Sequence, residues 1–263
     1  MKIQMNGWQI SYVTSGEGIP LLFIHGYPLS RKIWEPQASG LAAYARVILP
    51  DLRGHGDTDA VPGPYSVELL ADDCNNLLNI LGITQPVVVC GLSLGGYVAL
   101  AFYRKFTERM AGLILTSTRA AADSPEGKAN RDKAIIMAQS SGATAITDSM
   151  LPKMFAPLTY TTQSELVECV REIMTGTSVE GIVGALQAMK DRPDSTQMLS
   201  SINKPVLIIH GSDDQLIPAS EARTMQEAIP GSELVIIERA GHLLNMEQPA
   251  AFNLAVHQFL KRC

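Results

Sequence analysis

The sequence predicts an α/β fold: a doubly wound, mostly parallel sheet with an inserted helical cap. Three observations carry this prediction. Short apolar runs alternate with helix-length amphipathic segments on both sides of the middle of the chain. Several runs, such as Pro20-Leu21-Leu22-Phe23-Ile24-His25 and Val87-Val88-Val89-Cys90, are apolar without alternation, the pattern of a strand covered on both faces. Between Arg119 and about Ser201 the rhythm changes to helical patterns with no strand.

Trp8 to Val13 reads as a strand that ends at Gly16-Glu17-Gly18, and Pro20 to His25 and Arg46 to Pro50 as the next two. The spacing predicts a helix over Ser66 to Leu81: Ser66 can cap it, Leu69, Leu70, Leu77, Leu78 and Leu81 form one apolar stripe, and Gly82 stops it. Pro86 to Cys90 is a strand, Leu94 to Phe106 a helix, and Leu113 to Thr116 a strand. The helical block that follows is interrupted by Gly142, Pro152, Pro157, Gly176 and Pro193. A helix with one apolar face must bury it, so this block is expected to cover the C-terminal edge of the sheet. The expected organisation is a core of residues 1–118 and 202–263 with a cap of residues 119–201. After the cap come strands at Pro205 to His210 and Glu233 to Ile237, and helices at Ala219 to Ile229 and Pro249 to Leu260.

Composition narrows the function classes. At 18% charged residues, a net charge of −5 and no block of Lys and Arg, the chain is not expected to bind nucleic acid. It has no run of about 18 apolar residues, so no membrane-spanning helix is expected. Met1 to Trp8 lacks the apolar segment of a secretory signal. Cys74, Cys90, Cys169 and Cys263 show neither CxxC spacing nor disulfide-scaffold density, which fits a reducing cytoplasm and suggests no metal site. Nothing in the sequence marks an oligomer interface; a homodimer stays open.

The chemistry centres on Gly91-Leu92-Ser93-Leu94-Gly95, set between Val-Val-Val-Cys and a helix-like segment. Small residues on either side permit a tight strand-to-helix turn that lifts Ser93 above the strand end, at the start of a helix. A serine hydroxyl is a poor nucleophile without a base in contact. Among five histidines, His242 lies in Ala240-Gly241-His242-Leu243, just after the strand Leu234–Ile237. His25 and His210 end strands at the same edge, His55 sits in the turn Arg53-Gly54-His55-Gly56, and His257 is expected to be exposed on the last helix. The base needs an orienting carboxylate, and Gly211-Ser212-Asp213-Asp214-Gln215-Leu216-Ile217-Pro218 offers Asp213 and Asp214 beyond a strand end. A developing oxyanion needs donors: the amide of Leu94, and one from His25-Gly26-Tyr27-Pro28, where Pro28 has no N–H and Tyr27 does.

These segments, together with Asp51-Leu52-Arg53-Gly54-His55-Gly56-Asp57-Thr58, resemble the α/β-hydrolase fold superfamily, in its serine esterase and enol-lactonase-like branch with a helical cap. The resemblance implies Ser93 as nucleophile, His242 as base and Asp214 as orienter, the last from the pattern Gly-x-x-Asp-x-x-x-Pro; Asp213 stays open as an alternative. It implies an oxyanion hole from the Tyr27 and Leu94 amides, and no cofactor or metal. It implies a carboxylesterase acting on small to medium hydrophobic esters through an acyl-enzyme. Serine at the elbow argues against the dehalogenase and epoxide-hydrolase branches.

Thr116-Ser117-Thr118-Arg119-Ala120-Ala121 is also similar to bacterial enol-lactone hydrolases, which makes lactone hydrolysis the main alternative. Perhydrolases and acyltransferases with the same triad, and small-molecule receptors of the same fold, are further classes. In the cap, Met137, Met150, Met154, Met174, Met189 and Met198, with Phe155 and Tyr160, are candidates for an adaptable apolar pocket or for core filling. Arg119, Arg131, Arg171 and Arg192 are candidates for pairing a substrate carboxylate. His25 and the glycines of the Arg53–Asp57 turn are expected to serve structure.

Overall fold

In a computed structural model covering residues 1–263, the apolar runs form one eight-stranded sheet. Its strands are β1 (Lys2–Met5), β2 (Trp8–Ser15), β3 (Ile19–Ile24), β4 (Ala45–Pro50), β5 (Val87–Leu92), β6 (Met110–Thr116), β7 (Val206–Gly211) and β8 (Glu233–Ile237). Their order across the sheet is β1-β2-β4-β3-β5-β6-β7-β8. From β4 to β8 all neighbours are parallel; β1 and β2 are antiparallel to their neighbours at one edge. The helices are α1 (Glu35–Leu41), α2 (Val67–Ile80), α3 (Leu94–Phe106), α4 (Pro125–Met150), α5 (Thr159–Thr162), α6 (Ser164–Thr175), α7 (Val179–Asp191), α8 (Ala219–Ala228), α9 (Leu244–Glu247) and α10 (Pro249–Leu260).

The runs lack alternation because both faces of the central strands are covered. Leu22, Ile24, Val87, Val89, Val206 and Ile208 pack on one face with side chains of α2, α3 and α8. Their neighbours Leu21, Phe23, Val88, Cys90, Leu207 and Ile209 pack on the other with α1 and α10. Successive side chains of a strand point to opposite faces, so a strand between two helical layers must be apolar at every position.

Three elements lie outside the predicted set: β1, α1 and the four-residue α9 after His242. β1 pairs with β2 through a two-residue turn, Asn6-Gly7, whose φ angles of 41° and 94° are the paired positive values that such hairpins require. α1 follows a short 3₁₀ turn over Arg31–Trp34, which Ser30 caps by accepting a hydrogen bond from the Lys32 amide.

The chain leaves β3 for β4 on one side, then returns to place β5 on the other. This reversal opens a crevice beyond the C-terminal ends of β3 and β5, the usual ligand position in such sheets. Gly26, Tyr27 and Pro28 follow β3 there, and Ser93 follows β5.

Everything regular between β6 and β7 is helical. Ser124 caps α4 by accepting from the Gly127 amide, and Gly142, with non-helical backbone angles (φ 75°, ψ −173°), divides α4 into two helical segments across a kink. Thr177 Oγ1 donates to the Pro28 carbonyl (2.9 Å), Ser178 Oγ donates to that of Gly54 (2.8 Å), and the Leu243 amide donates to that of Met154 (3.1 Å). A side chain on Gly54 would collide with the backbone of Gly181 in α7. Pro28, Gly54 and Leu243 all lie beyond C-terminal strand ends, so these helices sit over the crevice. No helix is long and apolar enough to cross a membrane.

Candidate active site

Ser93 occupies the turn between β5 and α3 with φ 55° and ψ −113°, a backbone conformation that costs a non-glycine residue on the order of 1–3 kcal/mol. The surroundings hold it there. Its amide donates to the Thr116 carbonyl (2.9 Å) and its carbonyl accepts from Thr118 Oγ1 (2.9 Å). A side chain on Gly91 would strike the Gly95 carbonyl, and one on Gly95 would strike that of Ile24, so the turn closes only with glycine at both positions. The Ser93 side chain makes no capping bond to its own helix. Leu94 begins α3 and has no helical acceptor one turn back; neither its amide nor that of Tyr27 donates to a protein group.

Asp214 and His242 come from the loops after β7 and β8, neighbouring parallel strands. Asp214 Oδ1 accepts from the amides of Leu216 (2.9 Å) and Ile217 (3.0 Å). Its Oδ2 lies 2.8 Å from His242 Nδ1. The Asp214 side chain is wholly buried. Burial pushes its carboxyl up, but the His242 ring and the hydrogen bonds from His242, Ile217 and Leu216 outweigh this and hold it below the usual carboxylate range. An ionised Asp214 only accepts, so His242 Nδ1 is the donor of this bond, and the neutral ring that makes it keeps its lone pair on Nε2. Asp213 is exposed and accepts instead from Ser212 Oγ (3.1 Å). The geometry therefore pairs His242 with Asp214.

Ser93, His242, Tyr27, Tyr97, Met150 and Leu216 line one cavity of about 120 Å³. Within it Ser93 Oγ and His242 Nε2 are not hydrogen-bonded to each other; such contacts often tighten only when substrate binds. A second cavity of about 390 Å³ shares Tyr27, Arg119, Arg131, Met150 and Leu216 in its wall. A larger open depression of about 550 Å³ at the opposite edge of the sheet, beside Gly18, Pro86 and Lys204, is lined by no histidine, aspartate or glutamate side chain.

The His242 loop is held from behind by Glu247, a residue that sequence reasoning missed. Its buried carboxylate accepts from the Gly241 amide (2.6 Å), the Ala156 amide (2.8 Å) and Thr159 Oγ1 (2.6 Å). Burial raises the Glu247 carboxyl, and these three donors only partly offset it. The available signal was its place in the sequence, five residues after His242, at the end of the short helix α9.

The remaining candidates divide clearly. Met150 and Met189 face the Ser93 cavity and Met137 the larger one, whereas Met154, Met174 and Phe155 fill the core and Met198 packs against it. Tyr160 Oη donates to the Leu151 carbonyl. Arg119 and Arg131 line both cavities; Arg192 is buried behind them and Arg171 pairs with Asp148 at the surface. His25 is structural: Nδ1 lies 2.9 Å from the Gly26 carbonyl and Nε2 accepts from the Leu52 amide. His210 ends β7 with Nε2 on the Ile217 carbonyl (2.9 Å). His257 is half-buried and stacks on Tyr44 with ring centroids 3.8 Å apart, which corrects the expectation of exposure.

Comparison with known proteins agrees with this architecture. A model of the alpha/beta hydrolase family matches residues 21–255. The chain is 31% identical to a 3-oxoadipate enol-lactonase of Acinetobacter baylyi, over 96% of this chain and 93% of the relative. Among solved structures, a thermophilic esterase from Thermogutta terrifontis superposes with a TM-score of 0.96 at 39% identity, covering 100% of this chain and 98% of that one. The enol-lactonase from Burkholderia xenovorans superposes with a TM-score of 0.92 at 28% identity, covering 99% and 100%. With its sheet order, its strand-to-helix serine turn and a family match that runs through nearly all of it, the chain belongs to the alpha/beta hydrolase family.

Proposed function

We propose that the protein is a serine-dependent carboxylic-ester hydrolase. The observation that carries this reading is the 2.8 Å contact between Asp214 and His242, made by a histidine that shares a cavity with the elbow serine. In the proposed cycle Ser93 Oγ attacks the ester carbonyl carbon as His242 Nε2 takes its proton. Asp214 steadies the resulting imidazolium. The carbonyl oxygen, now carrying the charge, is received by the unpaired amides of Leu94 and Tyr27. The tetrahedral intermediate collapses to an acyl-Ser93, and His242 returns the proton to the departing alcohol. Water, deprotonated by His242, then releases the acid and restores Ser93. The chain's own residues supply every group this cycle uses. The small cavity, whose wall carries Met150, Met189 and Leu216 as well as Arg119 and Arg131, supports a small to medium acyl group.

Lactone hydrolysis is a second reading, favoured by the 31% identity to the A. baylyi enol-lactonase. It uses the same steps, with the leaving alcohol still tethered to the acyl group. Four free cysteines, Cys74 and Cys90 among them buried, support a reducing, cytoplasmic location.

The test is Ser93→Ala assayed on p-nitrophenyl butyrate in the presence of a chelator. Wild-type enzyme is expected to turn over and the variant to fall to background with an unchanged thermal melt. A folded variant that keeps most of its turnover removes Ser93 from the mechanism.

A further inference from the structure

Three guanidinium groups converge on one carboxylate beside the Ser93 cavity. Asp123, whose side chain is 1% exposed, receives Arg119 Nη2 at 2.6 Å, Arg192 Nη1 at 2.9 Å and Arg131 Nε at 3.0 Å. Burial alone would push the Asp123 carboxyl up; Arg131 and Arg192 hold it below its ordinary value, so it is ionised. Within ion-pair distance, one negative charge therefore faces three positive ones. Elsewhere on the helical block, Lys190 pairs with Asp132 and Arg171 with Asp148 and Glu168, while Lys128 and Lys133 of α4 are exposed and make no ion pair.

The three arginines differ in what they have left to offer. Arg192 is fully enclosed; it donates to the Met189 and Ala121 carbonyls and lies 4.0 Å over the Tyr97 ring. Arg119 and Arg131 remain 28% and 25% exposed, and both line the Ser93 cavity and its larger neighbour. Arg131 uses only Nε on Asp123, which leaves its two terminal nitrogens without a protein partner. Arg119 uses Nη2, and its buried Nε has no partner. No acidic side chain besides Asp123 lines either cavity, while Met150, Ile146 and Leu186 keep the larger one partly apolar.

We infer that the substrate carries a carboxylate, bound by Arg131 and Arg119 where the two cavities meet, while its ester or lactone carbonyl lies at Ser93. The planar edge of a guanidinium matches a carboxylate with two parallel hydrogen bonds. Asp123 fixes both arginines without neutralising them. This deepens the hydrolase reading and rests on it: that reading names the bond that is broken, and the arginines name the far end of the molecule.

The test compares two matched pairs of substrates by pH-stat: monoethyl adipate against ethyl heptanoate, with the charge on the acyl side, and 4-acetoxybutanoate against pentyl acetate, with the charge on the alcohol side. Wild-type enzyme is expected to favour the carboxylate member of at least one pair by about tenfold or more in kcat/KM, the worth of one charge-assisted hydrogen bond. Arg131→Gln is expected to reduce that ratio about tenfold and Arg131→Lys to restore part of it, since a lysine keeps the charge without the fork. Raising ionic strength should lower the ratio in wild-type enzyme, a readout that needs no variant. No preference in either pair, or a ratio indifferent to both salt and Arg131→Gln, overturns the inference. Failure of the hydrolase reading looks different: neither member of any pair is cleaved, or Ser93→Ala cleaves them all.

Discussion

At the scale of single residues, two adjacent aspartates are separated by one fact: Asp214 is buried against His242 and two amides, while Asp213 faces solvent. Asp214→Asn keeps the shape but places an amide where an acceptor-only group held the Nδ1 proton, so the ring can take the wrong tautomer. A loss of about 10³–10⁴ in kcat is expected, the scale seen when a triad aspartate is neutralised. Asp213→Asn removes an exposed charge and should change kcat by about twofold at most. Steady-state kinetics on one neutral ester check both, and the reverse ranking would assign the orienting role to Asp213. Residue types and spacing were enough to bring Ser93, His242 and the Gly211–Pro218 loop into view, because each follows a recognisable strand. The spacing Gly-x-x-Asp-x-x-x-Pro pointed to Asp214 but left Asp213 open, since which of two neighbours turns inward depends on loop backbone. Glu247 was invisible for a related reason: its partners, Gly241, Ala156 and Thr159, meet only after the helical segment docks.

At the scale of elements, that carboxylate ties the loop after β8 to the segment before α5. Oε1 accepts two donors and Oε2 a third. In Glu247→Gln one terminal atom becomes a donor facing a donor, leaving a buried group unpaired at about 1–3 kcal/mol. Because the freed amide is that of Gly241, next to His242, the variant is expected to lose kcat as well as melting temperature. A thermal scan beside a kinetic assay tests this; a lower melt with kcat untouched would make Glu247 purely structural. The long strands and helices were legible from apolar runs, caps and stops, and Ser66, predicted as a cap, does accept from the Leu69 amide. The missed β1 carried a readable signal, since Asn-Gly between two short runs is a hairpin turn. α1 has only seven residues, too short for helical periodicity to stand out.

At the scale of the whole molecule, the crevice that holds the site also stores an acid sensitivity. His25 directly follows β3 and bridges to the loop after β4 by accepting from the Leu52 amide, with His55 5.2 Å away ring to ring. Burial, then the neighbouring His55, lowers His25 to about 3, and burial lowers His55 to about 4. The unfolded chain carries histidines of ordinary pKa, so between about pH 6.5 and 4 it binds protons that the folded protein refuses. The sign follows: stability falls as pH drops through this window, by about 1.4 kcal/mol per pH unit for each histidine kept neutral. Asp214 acts lower on the scale, because a depressed carboxyl loses its contribution only as pH falls below the usual carboxylate range. Urea unfolding at a series of pH values separates the two. His25→Asn will shift the whole curve through its changed hydrogen bonds, so the informative quantity is the slope. Between pH 6 and 4 the slope of the variant should be shallower than that of wild type by about 1.4 kcal/mol per pH unit. Equal slopes would mean that His25 is protonated in the folded protein, and that its Nε2 cannot be the acceptor that joins the β3 and β4 ends around the crevice.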